Sequence, residues 1–137
     1  MSTRRLNKEL SALTGNTFEL IELVNDNITH QRWSISLAFE DEIIKVNIEV
    51  TIPPDYPFKS PNVLTEKSLF HPNVLDRKMC LHTINNWHPK TTIKDILTEI
   101  HSLLSKPNLD TALFTEALNM YNSNKKQYLD LYKNSLK

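Results

Sequence analysis

A chain of 137 residues with 39% hydrophobic and 23% charged residues is expected to form one domain over residues 1–137, because no Pro/Gly/Ser-rich stretch divides it. Its 16 Lys and Arg against 16 Asp and Glu give no net field for a nucleic-acid polyanion or an anionic membrane, so the expected partners are proteins. No apolar run approaches the ~20 residues of a membrane span, no signal region follows the start, and a lone Cys makes no internal disulfide, which points to a reducing cytoplasmic or nuclear setting.

Leu6, Leu10 and Leu13 fall at i, i+4 and i+7, which predicts a helix over 2–13 with Ser2 or Thr3 as cap and Gly15 after its end. Phe18, Leu20 and Leu23 suggest a first strand whose alternation slips at Ile21. Trp33, Ile35, Leu37 and Phe39 then alternate cleanly, as do Ile44, Val46, Ile48, Val50 and Ile52. The acidic link Glu40–Glu42 between them predicts an antiparallel hairpin. Pro53, Pro54, Pro57 and Pro61 keep the next segment out of any sheet interior, since a proline has no N–H for the ladder.

Residues 62–64 suggest a fourth strand, after which 65–89 shows no clear period. A loop that long inside a small domain is usually functional, and this one holds the only Cys. Ile93, Ile96, Leu97, Ile100, Leu103 and Leu104 make a wide helical stripe that Thr91 or Thr92 can cap and Pro107 stops. Helical patterns follow over 113–121 and 125–136, parted by Asn122–Asn124. The order predicts an α+β fold in which helices stand apart from an antiparallel sheet.

Three motifs carry a family resemblance: PPDYPFKSP at 53–61, FHPNVLDRKMCL at 70–81, and WHP at 87–89 followed by a helix ending in KPN at 106–108. Their order and spacing resemble the ubiquitin-conjugating enzyme (E2) family, and the match runs from RRLNKEL near the start to the final helix. The tripeptide alone is a weak signal, and the combination is a strong one. The resemblance implies the UBC fold: an N-terminal helix, a four-stranded antiparallel meander sheet, a long active-site loop, a central helix and two C-terminal helices. It also implies an acyl transferase that accepts ubiquitin or a ubiquitin-like modifier from an activating enzyme as a thioester on Cys80. The modifier then passes to lysine amines of protein substrates, alone or with a ligase. No cofactor is implied, since ATP is spent by the activating enzyme, and the chain has no phosphate-binding loop.

Cys suits both steps, because a thiol near pKa ~8.5 supplies some thiolate at neutral pH and leaves better than an alkoxide. Taken without its motif, a lone Cys reads as a buried small hydrophobe. The resemblance makes Asn73 the donor to the developing oxyanion, a role whose loss typically costs ~10²–10³ in rate; pinning of the active-site loop is the alternative. It makes Asp110 the acid that orients the incoming amine, with helix capping as its alternative. Thr111 stands where a second acid is usual. His71, Pro72 and Trp87 are implied to structure the loop rather than to move protons. Cys80, His82 and His88 lack zinc-ligand spacing, so no metal site is expected.

By the same resemblance Arg4 and Arg5 meet the activating enzyme, or else form an ordinary solvated charge pair. Pro57 with Phe58, and Pro89 with Lys90, lie on two loops that meet ligases. The chain departs from the family between Asn73 and Cys80, where VLDRKM has no glycine and is about one residue short. The stretch from Cys80 to Trp87 is also about one residue short, and the turn at Glu40–Glu42 lacks its usual glycines. A catalytically silent ubiquitin-binding adaptor of the same fold is the alternative function, against which Cys80 itself argues.

Overall fold

Leu6 anchors the first helix. In the computed structural model, which describes residues 3–13 and 17–137, α1 spans Thr3–Ala12 and Leu6 is completely buried. The expected Ser2 cap and Gly15 stop lie outside the described residues.

Strand β1 (Phe18–Leu23) pairs with β2 (His30–Ala38), and its register shifts between Leu20 and Glu22. This bulge is the physical form of the slip in alternation: one extra residue turns Ile21 outward while its neighbours keep their faces. β2 pairs with β3 (Ile43–Thr51) without interruption from His30 opposite Thr51 to Ala38 opposite Ile43. With a period of two, that register puts Trp33, Ile35 and Leu37 on the same buried face as Ile48, Val46 and Ile44, their cross-strand partners. Lys133 lies 3.1 Å from both Asp41 and Glu42, tying the glycine-free hairpin turn to the C-terminal helix. The proline cluster stays outside the sheet, and β4 (Asn62–Thr65) completes the expected meander against β3.

Beyond β4 the aperiodic stretch is more ordered than its sequence suggests. It forms β5 (Val74–Leu75), β6 (Lys78–Met79) and a one-turn helix α2 (His82–Asn85). The sheet therefore has six strands in the order β1-β2-β3-β4-β6-β5. Two-residue strands are too short to display a period, so the hairpin extending the meander leaves no trace in the pattern.

Helix α3 (Ile93–Ser105) starts in a capping box between Thr92 and Asp95 and buries all six apolar residues of its stripe in the core shared with β2 and β3. Each such side chain contributes roughly 1.5–3 kcal/mol of burial. A 3-10 turn (Leu109–Thr111) leads to α4 (Thr115–Ser123) and α5 (Lys125–Leu136), the latter capped by Asn124. α4 begins two residues later than the apolar pattern predicts, because the N–H groups of Leu113 and Phe114 donate to the Pro72 carbonyl instead of opening a helix. Among the described residues no helix is long and apolar enough to cross a membrane.

Candidate active site

The β5–β6 hairpin delivers Cys80 to the surface. Val74 faces Met79 and Leu75 faces Lys78, and the Cys80 N–H donates to the Asn73 carbonyl at 3.2 Å. A two-residue loop joins these strands, so Asp76 and Arg77 take φ values of 49° and 69°, a region that favours glycine. Arg77 is held there from three sides: its carbonyl accepts from Thr65 N, its Nε donates to Thr65 O at 2.7 Å, and its Nη2 lies 3.3 Å from Glu49. The hairpin is thus fastened through an arginine.

Upstream of the thiol, the His71–Pro72–Asn73 tripeptide is buried and its polar groups are used. His71 Nδ1 accepts from Asn73 N at 3.0 Å, and its Nε2 lies 2.9 Å from the Leu103 carbonyl, which fixes Nε2 as the protonated nitrogen of a neutral ring. Burial lowers its pKa to about 4. Both ring nitrogens are occupied and the ring has no solvent contact. The Asn73 amide donates to Asn108 O, Thr111 O and Thr111 Oγ1 at 2.8, 3.2 and 3.2 Å, while its Oδ1 accepts from Asn108 N at 2.9 Å. Pro72 O receives Leu113 N and Phe114 N. The tripeptide therefore clasps the crossover from α3 to α4 against the segment that leads to Cys80. Thr111 serves as one of the acceptors.

Downstream, Leu81 is buried and Cys80 is partly exposed. The first N–H groups of α2 have no cap in their own segment. Glu99, two turns into α3, supplies one: Oε2 accepts from His82 N at 2.6 Å, and Oε1 accepts from Thr83 N and Thr83 Oγ1 at 2.9 and 2.6 Å. From the end of this turn Asn85 Nδ2 reaches back to within 3.6 Å of Cys80 Sγ. Neither Glu99 nor Asn85 is singled out by sequence reasoning. The only signal for them is proximity to Cys80 for Asn85 and an acid on the less apolar side of α3 for Glu99.

Asp110 is exposed. The 3-10 turn is capped by Asn108, whose Oδ1 receives the Asp110 N–H at 3.0 Å, so the Asp110 carboxylate is not a cap and has no hydrogen-bond partner among the described residues. An open groove of about 640 Å³ lined by Glu99, Leu103, Pro107, Asn108, Leu109 and Asp110 runs beside it. His82 Nδ1 lies 3.1 Å from Asn86 Nδ2, and His88 Nδ1 accepts from Lys90 N. No group of three His, Cys, Asp or Glu side chains suited to a metal ion occurs among the described residues.

Of the two basic residues on α1, Arg4 is exposed, and Arg5 is half-buried and engaged on several sides. Its guanidinium donates to the carbonyls of Pro89 and Thr91, pairs with Glu9 at 3.1 Å and lies over the Tyr56 ring. Glu9 in turn accepts from Tyr56 Oη at 2.5 Å and from Ile93 N at 2.9 Å. Trp87 Nε1 donates to Pro57 O at 2.9 Å and so joins the two proline loops. Phe58, 78% exposed, stands out from its loop rather than folding into the core, and Lys90 is exposed beside a partly buried Pro89.

A family model described as ubiquitin-conjugating enzyme matches residues 5–135. The chain is 31% identical over 135 residues to ubiquitin conjugating enzyme E2 B of Dictyostelium discoideum, covering 91% of this chain and 88% of that protein. It is 29% identical over 137 residues to ubiquitin-conjugating enzyme E2 ubc-18 of Caenorhabditis elegans, covering 93% and 88%. The E2 domain of a Toxoplasma gondii ubiquitin conjugating enzyme superposes with a TM-score of 0.87 at 24% identity over 98% of this chain and 96% of that one, a likeness of fold.

Proposed function

The chain belongs to the ubiquitin-conjugating enzyme family, and from that premise we propose that it carries ubiquitin or a ubiquitin-like modifier as a thioester on Cys80 and delivers it to lysine amines. The observation that carries this reading is a partly exposed sulfur on a surface turn, flanked on one side by a buried, fully hydrogen-bonded frame.

In loading, the Cys80 thiolate attacks the modifier's terminal carbonyl, which the activating enzyme presents as its own thioester. A C–S bond forms at Cys80 and the activating enzyme's thiolate leaves. In transfer, a lysine amine attacks that carbonyl, a C–N bond forms, the C–S bond breaks and the Cys80 thiolate departs, while the amine's proton passes to solvent. The exposed, unpaired Asp110 carboxylate can orient that amine, and the groove it borders can lodge an extended acyl tail. Asn73 acts by holding the crossover in place. Phe58, Pro89 and Lys90 form the ligase-facing rim. Arg4 faces the activating enzyme, while Arg5 sets the position of the Pro89 loop.

The test mixes the protein with activating enzyme, modifier and ATP and follows a conjugate band with and without reductant. A reductant-sensitive band is expected. Cys80→Ser should convert it to a reductant-resistant ester, and Cys80→Ala should remove it. Absence of the band with every modifier tried, alongside retained binding to free ubiquitin, would replace this reading with the adaptor.

A further inference from the structure

The resemblance puts the catalytic amide at Asn73, yet that side chain is fully buried and already makes four hydrogen bonds to the crossover. Both of its N–H groups are spoken for. To reach an oxyanion it would have to let go of Asn108 and Thr111, giving up hydrogen bonds worth roughly 0.5–1.5 kcal/mol each. A second carboxamide lies closer to hand. Asn85 Nδ2 is 3.6 Å from Cys80 Sγ, a normal separation for a donor on a large sulfur. Asn85 is exposed, and its amide makes no other hydrogen bond among the described residues.

The position follows from local construction. Leu81 is buried and anchors the start of α2, and Glu99 holds the first two N–H groups of that turn. Side chains on a helix lean toward its N-terminus, so the last residue of this single turn points back toward the stretch that precedes it, where Cys80 lies two residues before the turn begins. Among the described residues, the titratable and charged groups of the neighbouring elements are differently engaged or make no hydrogen bond to the sulfur: His82 on α2, Glu99 on α3, Asp110 on the crossover, and Asp76, Arg77 and Lys78 on the hairpin.

We propose that the Asn85 carboxamide is the hydrogen-bond donor to the reacting sulfur of Cys80, favouring its thiolate both as nucleophile in loading and as leaving group in transfer. The free second N–H is available to the thioester carbonyl oxygen as charge builds on it. This rests on the thioester reading for its role in catalysis, although the N–H···S contact itself does not.

Because Cys80 is the only cysteine, iodoacetamide alkylation of the full chain across pH 6–10 reports this sulfur alone and needs no modifier. Asn85→Ala is expected to displace the alkylation profile to higher pH, lowering the rate at neutral pH about three- to tenfold with the alkaline plateau unchanged. Asn85→Asp, nearly isosteric but an acceptor, should displace it further. Single-turnover discharge of the charged Asn85→Ala protein to free lysine should slow by a similar factor, with the unfolding midpoint unmoved. Superimposable alkylation profiles for the wild type and both variants would overturn the proposal. A wild-type protein that never loads, but whose profile still moves on substitution, would instead refute the thioester reading while upholding the contact.

Discussion

The chain on the two sides of Cys80 is built to opposite rules. Upstream, His71 to Asn73 are buried, their polar groups saturated by neighbours up to 38 positions away in sequence. Downstream, α2 is one exposed turn whose start is held by a single carboxylate from another helix and whose end touches the sulfur once. The comparison teaches that rigidity and exposure are divided here: a frame whose polar groups are already used positions a rim that has donors to spare. Substitutions in the frame should therefore appear first as lost stability, and those in the rim first as lost rate.

The sharpest break would come at Asn73. Asn73→Ala removes the partners of Asn108 N, Asn108 O and Thr111 O together, and a loss of about 4 kcal/mol in denaturant unfolding is expected. Acid acts on the same frame. With its pKa at about 4 in the fold against 6.5 as the reference value, neutral His71 contributes fully above pH 6.5. That contribution disappears as pH falls toward 4, because the unfolded chain takes up the proton first. Stability should drop by about 3 kcal/mol across that window, a slope that His71→Gln flattens. A smaller effect is expected at the junction of frame and rim. Glu99→Ala uncaps α2 at a cost of about 1–2 kcal/mol, read as faster amide exchange at His82 and Thr83. Smallest of all, Arg77→Gly relieves the left-handed backbone but gives up the bond to Thr65, so the unfolding free energy should move by less than about 1 kcal/mol.

The same division governs what could be read from the sequence. Period two in Trp33–Leu37 and Ile44–Val50 marks the central hairpin because each residue there reports one face of a long strand. Even the slip at Ile21 is legible, as a bulge. The stripe Ile93–Leu104 marks α3 in the same way. Around the thiol this logic fails, since β5, β6 and α2 are two, two and four residues long and are held by groups far away in the chain. Cys80 and His71 to Asn73 are visible as a motif. The carboxylate of Glu99 and the amide of Asn85 are not, because nothing local requires an acid 19 residues after the thiol or an amide five residues after it. The bonds of Arg5 are illegible for a similar reason: a surface-looking basic pair gives no hint that one member bonds carbonyls 84 and 86 positions on.

The division between frame and rim is tested most directly by the ratio of loading rate to discharge rate for Asn73→Ala, measured under conditions where the variant is folded. A residue that only holds the frame should slow both steps together and leave the ratio near the wild-type value. Discharge slowed a hundredfold with loading and stability intact would contradict the account and return the oxyanion to Asn73.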